Sequence, residues 1–165
     1  MPAPLLSLLL WFSTVACGIL AGVYFAFSTF VMSSLDRLGP SAAIAAMNAM
    51  SVTITRSLFM PLFMVSTLCS LALIIIAAAG WVPNGSRLII VTGSIVYVAG
   101  MFGVTALFNV PLNDGLAAFN AHGADAASTW AQYLQDWTRW NHVRTVASCI
   151  GMICYAGALV SVGSQ

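Results

Sequence analysis

The chain has 165 residues, of which 61% are hydrophobic and only 5% are charged, with a formal net charge of +1. This small number of polar residues cannot cover the surface of a water-soluble globule. The composition therefore predicts a protein embedded in a lipid bilayer. All five basic residues are arginines, and they form no basic stripe along the chain, which argues against nucleic acid as a partner.

Four stretches without charge are each long enough to cross a membrane. An α-helix rises about 1.5 Å per residue, so about 20 apolar residues span a hydrocarbon core of about 30 Å. The predicted spans are roughly residues 5–30, 58–81, 88–110 and 143–162. Because lipid offers no partner to free backbone groups, we expect an all-α, four-helix transmembrane bundle that forms one domain over residues 1–165.

The three connections between these spans differ in length and content. The first contains Gly39-Pro40-Ser41 followed by a helix-like stretch of alanine and methionine, and the second is a short turn that makes its two helices antiparallel neighbours. In the third, residues 117–137 are amphipathic and end in a cluster of tryptophan and tyrosine, which favour the headgroup level. We therefore expect interfacial segments in the first and third connections, both on the same side of the membrane.

The motif "FNVPLNDGL", residues 108–116, ends the third span on that side. Asn109 and Asn113 share one face if the helix continues through Pro111. The alternative is that the helix ends here and that Asn113 and Asp114 lie in a turn. In the first case, the two amides would form one wall of a pocket at the membrane boundary.

The fourth span begins with a polar stripe in "WTRWNHVRT", residues 137–145. Asn141, Arg144, Thr145 and Ser148 are spaced i, i+3, i+4 and i+7 on one helical face, whereas His142 lies about a hundred degrees away. Such a stripe is costly in a membrane unless it faces protein or water, so it marks a candidate site. The alternative is that the arginine extends to the headgroups and the asparagine caps the helix.

The first span adds Tyr24 and Ser28, spaced i and i+4 near the same end of the bundle. They either line the pocket or, in the case of the tyrosine, anchor the helix at the interface. All four spans place polar groups at this depth. The pattern therefore predicts a pocket at one end of the bundle.

Metal chemistry finds little support in the residue types. There are two histidines, His122 and His142, no glutamate and no spacing typical of a di-iron carboxylate centre. Haem is an alternative through His142, with Met47 or Met50 as the opposite axial ligand. The four cysteines all lie in predicted spans without a C-x-x-C pair and are interpreted as buried thiols.

"FNVPLNDGL" followed by "WTRWNHVRTVAS", with the earlier "AAIAAMNAM" and four spans, resembles the small integral membrane family that includes the anthrone oxygenases. The resemblance covers most of the chain and is most specific at Asn109, Pro111, Asn113, Trp140, Asn141 and Arg144. Family members often have an asparagine a few residues after the methionine of the first connection, where this chain has Met50-Ser51 instead. The resemblance implies oxidation of anthrones to anthraquinones by molecular oxygen, with no metal or organic cofactor.

That chemistry requires a base, stabilisation of an anionic oxygen and an apolar chamber. The expected catalytic residues are His142 as the base, because imidazole titrates near neutral pH, together with Arg144 and Asn141. The expected substrate-binding residues are Asn109, Asn113, Tyr24, Ser28, Phe108, Trp137 and Trp140. The expected partners are the bilayer, a lipophilic small molecule and oxygen.

Two other classes of function are open on the sequence. One is a non-enzymatic membrane module that binds lipid, quinone or haem or acts as a partner subunit. The other is a transporter, which would require a homo-oligomer because four spans show no internal repeat. We expect a bacterial inner membrane protein. One side carries Arg37, Arg56, Arg139 and the nearby Arg144, against Arg87 on the other, and the positive-inside rule then places the termini outside.

Overall fold

The computed structural model describes residues 2–121 and 123–163, and all regular structure in these ranges is helical. Five helices follow in chain order: α1 (Pro4–Asp36), α2 (Pro40–Thr55), α3 (Phe59–Ala78), α4 (Asn84–Ala118) and α5 (Ala126–Gly163). Of these, α1, α3, α4 and α5 are long and apolar enough to cross a membrane. The prediction of an all-α bundle with four spanning helices is confirmed.

The helices pack around α5, which lies along both α1 and α4, while α3 packs against α1 and α4. Glycines permit the closest approach between α4 and α5. A Cβ atom placed on Gly93 would lie 2.4 Å from Cβ of Cys154, and one on Gly100 would lie 2.5 Å from Cβ of Ala147. Small residues at such contacts bring helix backbones together, which is how helices associate where lipid removes the hydrophobic driving force.

Three of the spanning helices are longer than the sequence predicted. The first and third predicted spans ended at about residues 30 and 110, but α1 continues to Asp36 and α4 continues through Pro111 to Ala118. The fourth was predicted to begin at about residue 143, but α5 begins at Ala126. Two π-helical segments, Val98–Gly103 and Thr105–Asn109, come just before the proline. The alternative of a helix end at "FNVPLNDGL" is therefore wrong, and Asn113 lies within a helix.

The amphipathic residues 117–137 do not form one continuous helix. They are divided between the end of α4, the connection at 119–125 and the first three turns of α5. Trp130, Tyr133 and Trp137 are buried, because α2 folds back over this end of the bundle and packs Ile44 and Met47 against them. We call this group of buried residues at the α2 end the cap cluster. Its aromatic rings pack against other side chains of the protein.

The backbone enters α2 through Gly39, whose φ of 83° is in the left-handed region that favours glycine. Pro40 then occupies the first turn of the helix, where a missing N–H costs nothing. This short reversal places α2 across the end of the bundle. The cavity described next lies beneath it.

Candidate functional site

A cavity of about 140 Å³ lies under α2, and each of the five helices contributes to its wall. Methionine and phenylalanine side chains from α2 and α3 supply most of the apolar lining. The polar side chains come mainly from the other three helices, which supply Tyr24, Thr105, Asn109, Asn113 and Arg144, while α2 adds Ser51 and Thr55. Among the described residues, none of the lining side chains is acidic. The cavity is thus apolar on one side and carries a cation and several neutral polar groups on the other.

Arg144 is the charged group of this wall and is only 6% exposed. Its Nη2 donates a hydrogen bond to Oδ1 of Asn141 at 2.6 Å, and its guanidinium carbon lies 4.5 Å from the ring centroid of Tyr24 and 5.1 Å from that of Trp137. All of these partners are neutral. A buried charge normally has an ionic partner, so this guanidinium points to a ligand that carries negative charge. The alternative that Arg144 extends to the headgroups is wrong.

Four buried polar atoms around the cavity have no hydrogen-bond partner within the described residues. They are the Tyr24 hydroxyl, Asn109 Oδ1, Trp137 Nε1 and Arg144 Nε. Leaving such an atom unpaired costs about 1–3 kcal/mol. Asn109 is held in place because its Nδ2 donates to the Trp137 carbonyl oxygen at 3.3 Å. The polar side chains beside the cavity are therefore incompletely paired within the described residues.

Asn141 lies behind this wall and joins α1 to α5. Its Nδ2 donates to the carbonyl oxygen of Tyr24 and to Oγ of Ser28, both at 2.6 Å, while its Oδ1 accepts from Arg144. The π-helical segment Phe27–Val31 of α1 begins three residues after Tyr24. A π segment disturbs the regular helical bonding, so a side-chain donor to a carbonyl oxygen beside it completes the backbone pairing. Asn141 thus orients Arg144 without lining the cavity.

The predicted site residues fall into two groups. Five of them line the cavity together, and these are Tyr24, Asn109, Asn113, Trp137 and Arg144. The two asparagines share one face, as expected for a helix that continues through Pro111. Oδ1 of Asn113 accepts a hydrogen bond from the Tyr133 hydroxyl at 2.8 Å.

The other predicted residues lie elsewhere. Phe108 and Trp140 stack on each other outside the cavity, with ring centroids 3.7 Å apart and an interplanar angle of 11°. His142 is exposed and lines an open groove between α1 and α5, together with Ser28. Met47 and Met50 line the cavity instead, so the structure does not bring them together with His142 as a pair of axial ligands. His122 lies outside the described residues.

Sequence reasoning missed two contributions to the cavity. Thr105 lies four residues before Asn109, on the same helical face, and its Oγ1 is 3.5 Å from Nη1 of Arg144. The i, i+4 spacing could have revealed it. The residues of α2 carry no such signal, because only the reversal at Gly39 brings that helix over the bundle.

A family model described as anthrone oxygenase matches residues 49–154, which is more than half of the chain. The chain belongs to this family. The matched region begins within α2 and contains Asn109, Asn113, Asn141 and Arg144, whereas Tyr24 and Ser28 precede it. Comparison with curated proteins and with solved structures finds no match.

Family membership and the four spanning helices agree with the resemblance seen in the sequence. The anthrone oxygenase match includes the α4 and α5 walls of the cavity. It therefore covers the amides and the guanidinium around which the polar chemistry is organised.

Proposed function

We propose that the chain is a membrane-embedded oxygenase that uses molecular oxygen, without a metal or an organic cofactor, to oxidise a lipophilic aromatic substrate of the anthrone class. The observation that carries this proposal is the buried guanidinium of Arg144, which lines a cavity without an acidic side chain among the residues that the structure describes. An anthrone becomes an anion when its methylene group loses a proton, and the charge is shared with its carbonyl oxygen. Arg144 can stabilise that oxygen.

The low polarity of the cavity makes this stabilisation strong. Attraction between opposite charges grows as the surroundings become less polar, and a donor already in place needs no reorganisation when charge develops. The N–H at Nε of Arg144 has no acceptor within the described residues, so we assign it as a donor to the anionic oxygen. Nδ2 of Asn109 has two N–H bonds and donates one of them to the Trp137 carbonyl oxygen, so the other is also available.

The reaction balances without a further reactant. The anion passes one electron to oxygen, the resulting radical pair joins as a peroxide at the former methylene carbon, and loss of water gives the quinone. Anthrone and one molecule of oxygen thus yield anthraquinone and water. Residues of the chain hold the anion, and the apolar walls keep bulk water from the peroxide.

The first proton transfer is assigned on geometry. His142 was the expected base, but it lines the outer groove rather than the cavity. We therefore assign the ionisation of the substrate to the charge of Arg144, which favours the anionic form, with a water molecule as the acceptor of the proton, and give His142 no contact with the substrate. Substitution of each residue separates the two assignments.

The size of the cavity sets the position of the substrate. A volume of about 140 Å³ is close to that of an apolar protein cavity of about 150 Å³ that holds benzene. One ring of a three-ring substrate therefore occupies the chamber, and the other rings extend past Thr55 and Val110, two lining residues that are exposed. Met47, Met50 and Met60 line the chamber as well, and flexible methionines can adapt to a flat ring.

The test replaces Arg144 by glutamine, which can still donate a hydrogen bond but has no charge. With anthrone as the substrate, oxygen uptake and quinone absorbance are measured on purified protein in lipid nanodiscs. We expect a loss of turnover on the order of 10²-fold, the scale seen when one preorganised donor to an anionic oxygen is removed. Arg139→Gln, at an exposed position on the same helix, is the matched control and should turn over at the normal rate.

Normal turnover by a folded Arg144→Gln variant would contradict the proposal. Loss of turnover in His142→Ala would return proton removal to that histidine. Binding of anthrone by the wild-type protein without oxygen uptake would instead identify a non-enzymatic module for a lipophilic acid or quinone, which the same cavity would suit.

A further inference from the structure

A row of three buried aromatic side chains leads from the cavity to the surface along α5. The ring centroids of Trp137 and Tyr133 are 6.5 Å apart, those of Tyr133 and Trp130 are 5.7 Å apart, and both pairs are stacked. Nε1 of Trp130 donates a hydrogen bond to Oδ1 of Asp36 at 2.8 Å, and Asp36 is exposed at the end of α1. Because Trp137 lines the cavity, the row joins the cavity to solvent.

We propose that this row carries oxidising equivalents out of the cavity and so protects the site from radicals that form there. Tryptophan and tyrosine are the side chains that most readily give up a single electron, and neighbouring rings in contact can exchange one. The inference rests on the proposed function, because the reaction of an anthrone anion with oxygen produces radicals inside the cavity.

The transfer can be written with its electrons and protons balanced. A peroxyl radical in the cavity takes an electron from Trp137 and a proton from water and becomes a hydroperoxide. An electron from Trp130 passes through Tyr133 and restores Trp137. Trp130 then gives its indole proton to Asp36. Because Trp130 is buried and Asp36 is exposed, a soluble thiolate beside Asp36 gives an electron to the neutral Trp130 radical, and Asp36 returns the proton. In sum, a peroxyl radical, a thiolate and a proton from water become a hydroperoxide and a thiyl radical.

The charges at the two ends of the row give the transfer a direction. The guanidinium carbon of Arg144 lies 5.1 Å from the ring centroid of Trp137, so positive charge on that ring is disfavoured. The carboxylate of Asp36 favours positive charge on Trp130 at the other end. Electrostatics therefore moves the oxidising equivalent away from the cavity.

Hydrogen bonding acts in the same direction. Nε1 of Trp137 has no acceptor within the described residues, so its oxidised ring cannot hand on a proton and remains a mobile radical cation. Nε1 of Trp130 has a carboxylate acceptor and can lose its proton. The oxidising equivalent thus comes to rest at Trp130, beside solvent.

The same rings also pack within the cap cluster, and Tyr133 donates a hydrogen bond to Asn113. A test must therefore have a readout that packing alone does not change. Radical spectra meet this need, because they report which ring is oxidised. Trp130→Phe keeps an aromatic ring in place but removes the side chain that is most easily oxidised.

The experiment uses anthraquinone as a photo-oxidant with the protein in lipid nanodiscs. Binding of anthraquinone is measured first, and a light flash then makes the bound quinone a one-electron oxidant. Transient absorption and electron paramagnetic resonance should show a neutral tryptophan radical in the wild type. Trp130→Phe should lose this signal, whereas Trp140→Phe, the control on the same helix outside the row, should keep it.

Asp36→Asn offers a second check, because it preserves an acceptor for the indole N–H but removes the base. We expect its tryptophan signal to stay that of a radical cation. A neutral radical of wild-type yield in Trp130→Phe would overturn the inference.

Absence of anthraquinone binding would count against the proposed substrate class and not against the row. The same variants would then be exposed to peroxyl radicals from a lipid-soluble azo initiator, and the oxidised residues would be mapped by mass spectrometry. The row requires oxidation at Trp130 in the wild type and a shift of damage to Trp137 in Trp130→Phe. An unchanged pattern would overturn it.

Discussion

Asn141 is the residue on which the position of the guanidinium depends, so its substitutions should separate charge from packing. Asn141→Asp places a carboxylate beside Arg144 at the position that the amide oxygen now occupies, 2.6 Å from Nη2. An ion pair formed there would neutralise the cation that we assign to the substrate. We expect a folded variant that has lost turnover with anthrone, measured by oxygen uptake and by thermal unfolding in detergent.

Asn141→Leu is the complementary change at the same residue. It removes the donor to the Tyr24 carbonyl oxygen and the acceptor for Arg144, leaving buried polar groups unpaired at about 1–3 kcal/mol each. Its unfolding temperature should therefore fall below that of the aspartate variant. An aspartate variant that oxidises anthrone at the normal rate would show that a free cation is not required.

Helical spacing predicted which polar residues are buried but not which residues meet across helices. The i, i+3 relation placed Asn141 and Arg144 on one face, and the structure buries both. The same reasoning could not show that Phe108 and Trp140 stack on each other, because that contact joins two helices. Spacing within one helix also kept His142 on a different face, which is why it lines the outer groove.

At the scale of an element, the contact between α4 and α5 determines how closely the two polar walls approach. Gly100→Val would add a Cβ atom 2.5 Å from that of Ala147 and force the helices apart. Overpacking of this kind costs about 1–3 kcal/mol, and it would also draw Asn109 away from the Trp137 carbonyl oxygen. We expect a lower unfolding temperature and reduced turnover.

Gly22→Val on α1 is the matched control, because a Cβ atom there has no neighbour within 4 Å. It makes the same change of residue in a spanning helix without a contact. Equal effects of the two substitutions would show that helix propensity, and not the α4–α5 contact, accounts for the loss.

Helix lengths were the least predictable feature of the elements. About 20 apolar residues are enough to cross the hydrocarbon core, whereas α1, α4 and α5 are each longer than 30 residues. Proline usually disfavours a helix interior, but α4 continues through Pro111, and the π-helical segments before it show that the hydrogen-bond pattern there has shifted. Local propensity therefore gave the correct helix type and the wrong ends.

At the scale of the whole molecule, composition and hydropathy were enough to predict the bundle of spanning helices. They could not predict the position of α2 across the end of that bundle. Apolar length decides what crosses a membrane. The position of α2 depends instead on one left-handed glycine and on the burial of its apolar face against the aromatic rings of α5. The roof of the cavity was thus absent from the sequence-based prediction, although the α4 and α5 walls were present.

The orientation of the whole molecule gives the last prediction. Arg37, Arg56 and Arg139 lie at the α2 end, and Arg87 lies at the other end, near the start of α4. The positive-inside rule weighs arginines near the membrane and gives little weight to aspartates, so the α2 end and the mouth of the cavity should face the cytoplasm. Asn84 and Ala124 are exposed at opposite ends of the bundle. The orientation can be measured by replacing each of them with cysteine and labelling intact bacterial cells with a membrane-impermeant maleimide.

We expect Asn84→Cys to react in intact cells and Ala124→Cys to react only after permeabilisation, with the unsubstituted protein as the background for its four native cysteines. The reverse pattern would place the α2 end outside. The outcome also bears on the row of aromatic side chains along α5, because Asp36 at its outer end lies at the α2 end of the bundle. A cytoplasmic position would bring Trp130 next to the pool of soluble thiols that its repair requires, whereas an external position would demand a different reductant.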